Sequence, residues 1–173
     1  MLKEKINPDE FEFDERPIDI NRVMRVRKGG RTPSFNALSA VGNRDGIVGI
    51  GFGSANEIPS AISKSVADAK KNLIRVPLSG STIPHEIVGQ FKAAKVLLKP
   101  ASPGTGIIAG LATRIILEFA GVQDILTKRL GSRNAKNIAE ATMQALRALK
   151  DIDEVTHLRG KAIEELRNKM DAR

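Results

Sequence analysis

The first patterned stretch of the chain alternates between two kinds of residue. From residue 18 onward, one side of the pattern is apolar and carries Ile18, Ile20, Met24 and Val26. The other side is mainly basic and carries Val23, Arg25 and Arg27. A period of two predicts a β-strand, here with one apolar face and one basic face.

Turn residues divide the next sixty positions. Residues 28–31 (KGGR) predict a turn, and residues 33–42 predict a second strand. Residues 43–46 (NRDG) predict a hairpin loop, because Asp-Gly favours turns that need a positive φ. Residues 47–53 predict a third strand. After Pro59, which suits the first turn of a helix, apolar residues recur at helical spacing as far as Leu73. Residues 18–76 therefore predict three antiparallel strands followed by a helix.

The second half repeats strands and helices in a different order. A Ser/Gly-rich linker is expected at 77–84, followed by strands at 86–91 and 95–99. The loop at 100–106 is expected to open a helix at 107–119, followed by a strand at 122–130. Asn134 is expected to cap a further helix. The fold class is α+β, with an acidic N-terminal tail or short helical turn at 1–17, domains at 18–81 and 82–150, and a charged, helical tail at 151–173.

The number and distribution of charged residues indicate a binding function. The chain has 28 Lys and Arg against 20 Asp and Glu, a net charge of +8. The excess is concentrated between Ile20 and Lys136, where eighteen basic residues face six acidic ones. Such a distribution is typical of proteins that bind polyanions, although a solvated basic surface would look similar. Aromatic residues make up only 3% of the chain, so stacking platforms for single-stranded bases are scarce.

The densest cationic cluster lies in the predicted first strand and its turn. It consists of Arg22, Arg25, Arg27, Lys28 and Arg31, with Gly29 and Gly30 between the last two cations. Cations bind phosphates, and two adjacent glycines let the backbone approach a phosphate closely. An edge strand protected by charges is the alternative, but one or two charges suffice for that purpose. The cluster therefore favours RNA contact.

Three other clusters support weaker expectations. The alternating glycines at 49, 51 and 53 lie within a strand, which favours close approach of another backbone over a nucleotide loop. The glycines at 104, 106 and 110 precede a helix but lack the Gly-Lys-Ser/Thr of a P-loop, so a tight packing turn that touches RNA or a neighbouring protein is expected. For Lys128, Arg129 and Arg133, RNA contact and a solvated face remain equally open.

Several function classes are not expected. Cysteine is absent, and His85 and His157 have no second histidine at ligand spacing, so we expect no metal site and no cofactor. No nucleophile–base or paired-carboxylate arrangement is apparent, so we expect no enzyme. The N-terminus lacks the apolar core of a signal peptide, and charged residues interrupt the run at 106–122. We therefore expect a soluble protein without membrane contact.

At this level of detail the chain resembles a known family, that of the bacterial-type small-subunit ribosomal protein five. The resemblance rests on residues 21–38 (NRVMRVRKGGRTPSFNAL), 41–46 (VGNRDG), 55–62 (ANEIPSAI) and 69–72 (AKKN). In the second half it rests on 99–110 (KPASPGTGIIAG), 121–128 (GVQDILTK) and 158–165 (LRGKAIEE). The motifs are colinear over residues 18–166.

The resemblance implies a fold and a function. The N-terminal domain would be similar to double-stranded-RNA-binding domains, and the C-terminal domain would contain a β-α-β unit with a left-handed crossover. The chain would be a structural constituent of the small subunit in a cytoplasmic or organellar ribosome. It would bind ribosomal RNA, bridge head and body, and support translational accuracy. Its partners would be small-subunit proteins four and eight, with Gly106 and Arg114 at the interface with protein four. No homo-oligomer and no small-molecule substrate are implied.

Two positions depart from the family pattern. Pro33 stands where the family usually has a bulky residue, which makes the start of the second strand uncertain because proline cannot donate to a ladder. Ser54 stands where the family often has Lys. Two other functions stay open at this point. The chain could be a double-stranded-RNA-binding protein that acts outside ribosomes, or a phosphotransferase that uses the turn at 104–110.

Overall fold

The first half of the chain forms one antiparallel sheet covered by a helix. The computed structural model describes residues 7–8 and 11–159. The first sheet contains β1 (Asp14–Arg27), β2 (Gly30–Gly42), β3 (Ile47–Ala55) and β4 (Ile74–Arg75), in that spatial order. Helix α1 (Ile58–Lys71) lies between β3 and β4 in sequence. The prediction of three antiparallel strands followed by a helix is confirmed, and β4 adds a short fourth strand.

The second half forms a mixed sheet with two helices. Its elements are β5 (Ile87–Phe91), β6 (Ala94–Pro100), β7 (Ile107–Ile108), α2 (Leu111–Phe119), β8 (Ile125–Gly131) and α3 (Ala135–Ala148). The strand order is β5-β6-β8-β7, and only the β7–β8 pair among them is parallel. Helix α2 connects these two parallel strands, which gives the expected β-α-β unit. The α+β class is confirmed.

Several element boundaries differ from the predictions. Residues 107–108 are not helical, because they pair with Ile125 and Leu126 as β7, and the helix begins only at Leu111. Strand β8 begins at Ile125 rather than at 122, because the N–H groups of Gln123 and Asp124 bind the Ser81 carbonyl in a turn. Asn134 caps α3 as predicted, its side chain accepting a hydrogen bond from the Asn137 N–H at 3.2 Å.

Secondary-structure elements lie near both ends of the described chain. Strand β1 begins at Asp14, so residues 14–17 of the expected acidic tail belong to the first sheet. Three charges there have partners: Asp14 lies 2.9 Å from Arg44, Glu15 lies 3.3 Å from Lys70, and Arg16 lies 3.7 Å from Glu118. At the other end, α4 (Ile152–Arg159) is helical, as expected for the charged tail. Residues 1–6, 9–10 and 160–173 lie outside the described part.

Helix α1 packs on a row of glycines in β3. A Cβ at Gly49, Gly51 or Gly53 would overlap backbone atoms of α1 at Ala69, Ser65 and Ala61. The prediction that these glycines permit close approach of another backbone is therefore confirmed. A buried hydrogen bond of 2.6 Å between the hydroxyls of Ser39 and Ser65 ties β2 to the same helix.

One hydrophobic core serves both sheets. Its buried residues come from the first sheet (Leu38, Ala40, Val48, Ile50), from α2 (Ile115, Ile116, Phe119), and from the second sheet and α3 (Val96, Leu98, Ile138, Met143). The chain passes from one sheet to the other between Arg75 and Ile87. The expected division at residues 81 and 82 lies in this interval, although burial is continuous across it.

A buried carboxylate organises the loop between β6 and β7. Asp124 is buried, and its Oδ1 accepts a hydrogen bond from the Gly106 N–H at 2.9 Å. That N–H holds the pKa of Asp124 below its ordinary value, and the Ser81 hydroxyl and the N–H groups of Gly104 and Thr105 act in the same direction. Burial opposes this shift without cancelling it. The ionised form of Asp124 is therefore the one that this loop conformation favours.

The glycine row predicts a large effect of a single methyl group. Replacing Gly51 with Ala should lower the free energy of unfolding by about 1–3 kcal/mol, because the added Cβ forces α1 away from β3. Gly29→Ala is the matched control, since its Cβ would meet nothing within 4 Å, and it should change stability by no more than about 0.5 kcal/mol. Urea denaturation of both variants measures the difference. Equal stabilities would contradict the packing described for α1.

The Asp124 contacts predict a pH-dependent stability. Because the pKa of Asp124 is lower in the folded protein than in the unfolded chain, its stabilising effect is complete above the unfolded pKa. The effect is lost as the pH falls through the folded pKa. Asp124→Asn should therefore lower the thermal midpoint at neutral pH, and the difference from the parent should shrink in acid. A difference that is independent of pH would show that the charge of Asp124 does not hold the loop.

Candidate nucleic-acid interface

The predicted basic cluster lies on a two-stranded arm. Pairing between β2 and β3 ends at Phe35 and Ala55, whereas pairing between β1 and β2 continues to Arg27 and Gly30. We call residues 22–35 the arm. From Phe35 to Gly30 it extends roughly 17 Å beyond the three-stranded part of the sheet, at the usual rise per strand residue. The arm therefore offers both of its faces to solvent.

The register of the arm divides its residues between two faces. Directly opposite residues share a face, and successive residues alternate. One face, the Arg25 face, carries Val23, Arg25 and Arg27 with the opposing residues Ser34, Thr32 and Gly30. The other, the Met24 face, carries Arg22, Met24 and Val26 with the opposing residues Phe35, Pro33 and Arg31. The five predicted cations therefore do not form one surface.

The two faces differ in chemistry, as the alternation predicted, but with one correction. Arg22 and Arg31 lie on the side that the sequence pattern made apolar. The Met24 face is thus apolar at its centre and basic at its margins. The Arg25 face combines guanidinium groups with hydroxyls, and a shallow pocket of about 210 Å³ joins Arg25, Thr32, Ser34 and Ser54 to Lys64 of α1. Lys64 could not be predicted from the sequence pattern, because it lies far from Arg25 in the chain, on a helix.

Pro33 does not interrupt the second strand. The ladder between β1 and β2 runs through it, with Met24 opposite, and β2 begins at Gly30. At Pro33 the strand has a neighbour on one side only, because β3 has already ended. Proline is tolerated at such a position, because no second neighbouring strand needs its missing N–H.

The arm cations lack acidic partners within the described residues. The four ion pairs in this part of the chain involve Arg16, Arg44, Lys70 and Lys99. None of the ten residues predicted to contact RNA takes part in them. The positive charge on the arm is therefore not neutralised by the described protein, which favours an anionic partner.

The second predicted cluster lines a groove between the two sheets. Lys128 and Arg129 lie on β8, and Arg133 lies just before α3. All three are exposed and line an open cavity of about 460 Å³, which is completed by residues of β1 and by the start of α2 (Ile18, Asp19, Gly110, Leu111, Ala112, Thr113). The groove brings together residues that are more than a hundred positions apart.

A further basic residue that the sequence reasoning missed lies nearby. The Lys136 ammonium at the start of α3 is 3.9 Å from the centre of the Phe52 ring on β3. Phe52 and Lys136 share a cleft of about 550 Å³ with Asn21, Asn36 and Asn137. This contact joins the two halves of the chain beside the arm.

The predicted protein interface is an open glycine turn followed by a helix. Gly104 and Gly106 have φ values of +89° and +76°, and a Cβ at either glycine, or at Gly110, would meet nothing within 4 Å. The described chain does not pack closely around these glycines, so two of them serve the turn conformation, and the expected contact with RNA or a neighbouring protein stays a prediction. Arg114 is exposed on α2, and its N–H binds the Gly110 carbonyl at 2.7 Å.

The described residues contain neither a membrane-spanning helix nor a cluster of metal-ligating side chains. No helix of residues 7–8 and 11–159 is long and apolar enough to cross a membrane. Within the same residues, no group of three or more His, Cys, Asp or Glu side chains could hold a metal ion.

Comparisons with known proteins identify the family. Residues 13–77 match the model of the ribosomal protein S5 N-terminal domain, and residues 89–159 match that of the ribosomal protein S5 C-terminal domain. The chain is also 52% identical over 155 residues to the small ribosomal subunit protein uS5 of Thermotoga neapolitana, covering 90% of this chain and 87% of that protein. The fold, the order of the motifs and these matches agree, and the chain belongs to the ribosomal protein S5 family.

Proposed function

We propose that this chain binds small-subunit ribosomal RNA through the arm and through the groove at Lys128, Arg129 and Arg133. The observation that carries the proposal is the concentration of cations on these two surfaces, none of which forms an ion pair with an acidic residue of the described chain. The family supports a structural role in the ribosome. The chain acts as a binding component, and it needs neither a cofactor nor catalysis for this role.

Recognition proceeds mainly through the RNA backbone. Arg25 and Arg27 meet phosphates from one face of the arm, while the hydroxyls of Thr32 and Ser34 bind phosphate or ribose oxygens. Lys28 and the two glycines form the tip of the arm. Because the glycines have no side chain, RNA can approach the backbone there. Such contacts read the shape of the RNA rather than its base sequence.

The shared core gives the protein its mechanical role. Because α2 packs against both sheets, the arm and the groove are held on one body. RNA segments bound at the two places are then fixed relative to each other. This is how the chain bridges the head and the body of the small subunit and influences accuracy, by favouring some subunit conformations over others.

Protein partners complete the proposal. The open turn at Gly106 and the exposed Arg114 form the contact with small-subunit protein four. Small-subunit protein eight is the second proposed protein partner. Binding of double-stranded RNA outside the ribosome is the alternative function, and cosedimentation of the native protein with small subunits rather than with free RNA distinguishes the two.

The RNA proposal predicts a loss of affinity that depends on salt. Replacing Arg25, Arg27 and Lys28 together with Ala should weaken binding to small-subunit ribosomal RNA. The slope of log K against log salt concentration should also become less steep by roughly two to three, because each lost phosphate contact contributes about 0.9 to that slope. Filter binding or fluorescence titration at several salt concentrations measures both quantities.

The control for that experiment removes the same charge elsewhere. Arg44, Lys70 and Lys99 each have an acidic partner, and their joint replacement with Ala lowers the net charge equally. This control should leave most of the affinity and the salt slope in place. Equal effects of the two triple variants would show that net charge, and not the arm, governs binding.

The interface with protein four predicts a separable defect. Arg114→Ala should weaken binding to purified small-subunit protein four by about tenfold, or about 1.4 kcal/mol, as expected for an arginine at the centre of an interface. RNA affinity should not change. Lys71→Ala, an exposed helical cation on the other sheet, should bind protein four normally. Unchanged binding of the Arg114 variant would exclude this residue from the interface.

A further inference from the structure

We infer that the Met24 face of the arm binds an unpaired nucleotide of the RNA, so that the arm lies between two RNA segments. This inference rests on the proposed function and assigns a different task to each face. Phosphates contact the Arg25 face, and the apolar surface of a nucleobase and its ribose contacts Met24 and Val26.

The apolar side chains of this face are exposed to solvent. Val26 is 73% exposed, the highest value among the large hydrophobic residues of the described chain, and Met24 is 53% exposed. Pro33, opposite Met24, is exposed as well. Three neighbouring apolar side chains on a slender arm thus remain in water, whereas the equivalent face of the sheet body is covered by α1.

The fold itself provides no cover for these residues. Helix α1 lies over Gly49, Gly51 and Gly53 and begins at Ile58, just after β3 ends. The arm extends past this point, where β1 and β2 have only each other. Burial of these exposed apolar side chains against a partner surface would therefore stabilise a complex.

The charges at the margins of the face identify the partner. Arg22 and Arg31 lie on the same face as Met24 and Val26, and neither has an acidic partner among the described residues. The partner must therefore combine anionic groups with a flat apolar surface. An unpaired nucleotide has both, while a regular duplex shows mainly phosphates and hydroxyls to a protein of this shape.

The residue types agree with this assignment. The arm contains no Trp or Tyr, and Phe35 is only half exposed at its base, so aliphatic contact replaces aromatic stacking. A guanidinium plane such as that of Arg22 or Arg31 can also stack on a base. The Arg25 face has the composition of a phosphate-binding surface instead, because it combines two arginines with the hydroxyls of Thr32 and Ser34.

The test replaces apolar contact without changing charge. In the double variant Met24→Thr and Val26→Thr, threonine keeps the preference for strand structure, and both positions are exposed, so the protein should fold as before. Affinity for small-subunit ribosomal RNA should fall about five- to tenfold at every salt concentration, with an unchanged salt slope. The double variant Val88→Thr and Ile108→Thr is the matched control, since each of these residues is 53% exposed on the second sheet, and it should bind normally.

A second measurement identifies the bound RNA element. The protein and the Met24/Val26 double variant are titrated with two RNA hairpins that differ only in one bulged nucleotide. The parent should prefer the bulged hairpin, and the variant should lose this preference. Equal preference in both proteins, or unchanged affinity of the variant for ribosomal RNA, would overturn the inference. In either case the proposed function stands if the Arg25, Arg27 and Lys28 variant still loses affinity and salt dependence, and it fails separately if that variant binds as the parent does.

Discussion

The docking of the end of α2 onto the hairpin between β2 and β3 is the contact on which the arrangement of the two surfaces depends. A side chain at Gly42 would overlap the Phe119 backbone, and the Phe119 carbonyl accepts the Arg44 N–H at 3.0 Å. The Ala120 carbonyl accepts the Gly46 N–H at 3.1 Å. These contacts join the far end of the first sheet to the β-α-β unit of the second. They make one core from two sheets, so that the arm and the groove cannot move independently without exposing that core.

Charge is distributed in a way that follows this architecture. Cations near the joined ends of the sheets have acidic partners, as with Arg16 and Glu118 or Arg44 and Asp14. Exposed pairs of this kind add little to stability, but they remove net charge locally. Cations on the arm and around the groove have no such partners within the described residues. Two of the four described ion pairs therefore lie where the sheets join, whereas the arm and the groove carry cations without an acidic partner among the described residues.

The sequence predicted the fold class and the main elements because alternation and helical spacing are local signals. The glycines at 49, 51 and 53 were interpreted correctly, since their period of two matched a strand. Strand β7 could not be predicted from the sequence, because residues 107–108 become a strand only by pairing with β8. The open space around Gly104 and Gly106 is likewise a property of the whole fold. Periodicity placed Arg25 and Arg27 on one face, but it could not place Arg31 opposite Val26, because that depends on the register across the turn.

The arginines of the arm also bear on the risk that its edge strand pairs with another chain. A two-stranded ribbon is marginally stable alone, and β1 is an edge strand of fourteen residues whose outer backbone is free to pair with another chain. Alternating arginines along this edge oppose such pairing, because a second copy would bring like charges together. On the proposed function, the same arginines also attract RNA. One set of charges would then serve both purposes, and charges next to exposed apolar residues oppose aggregation in general.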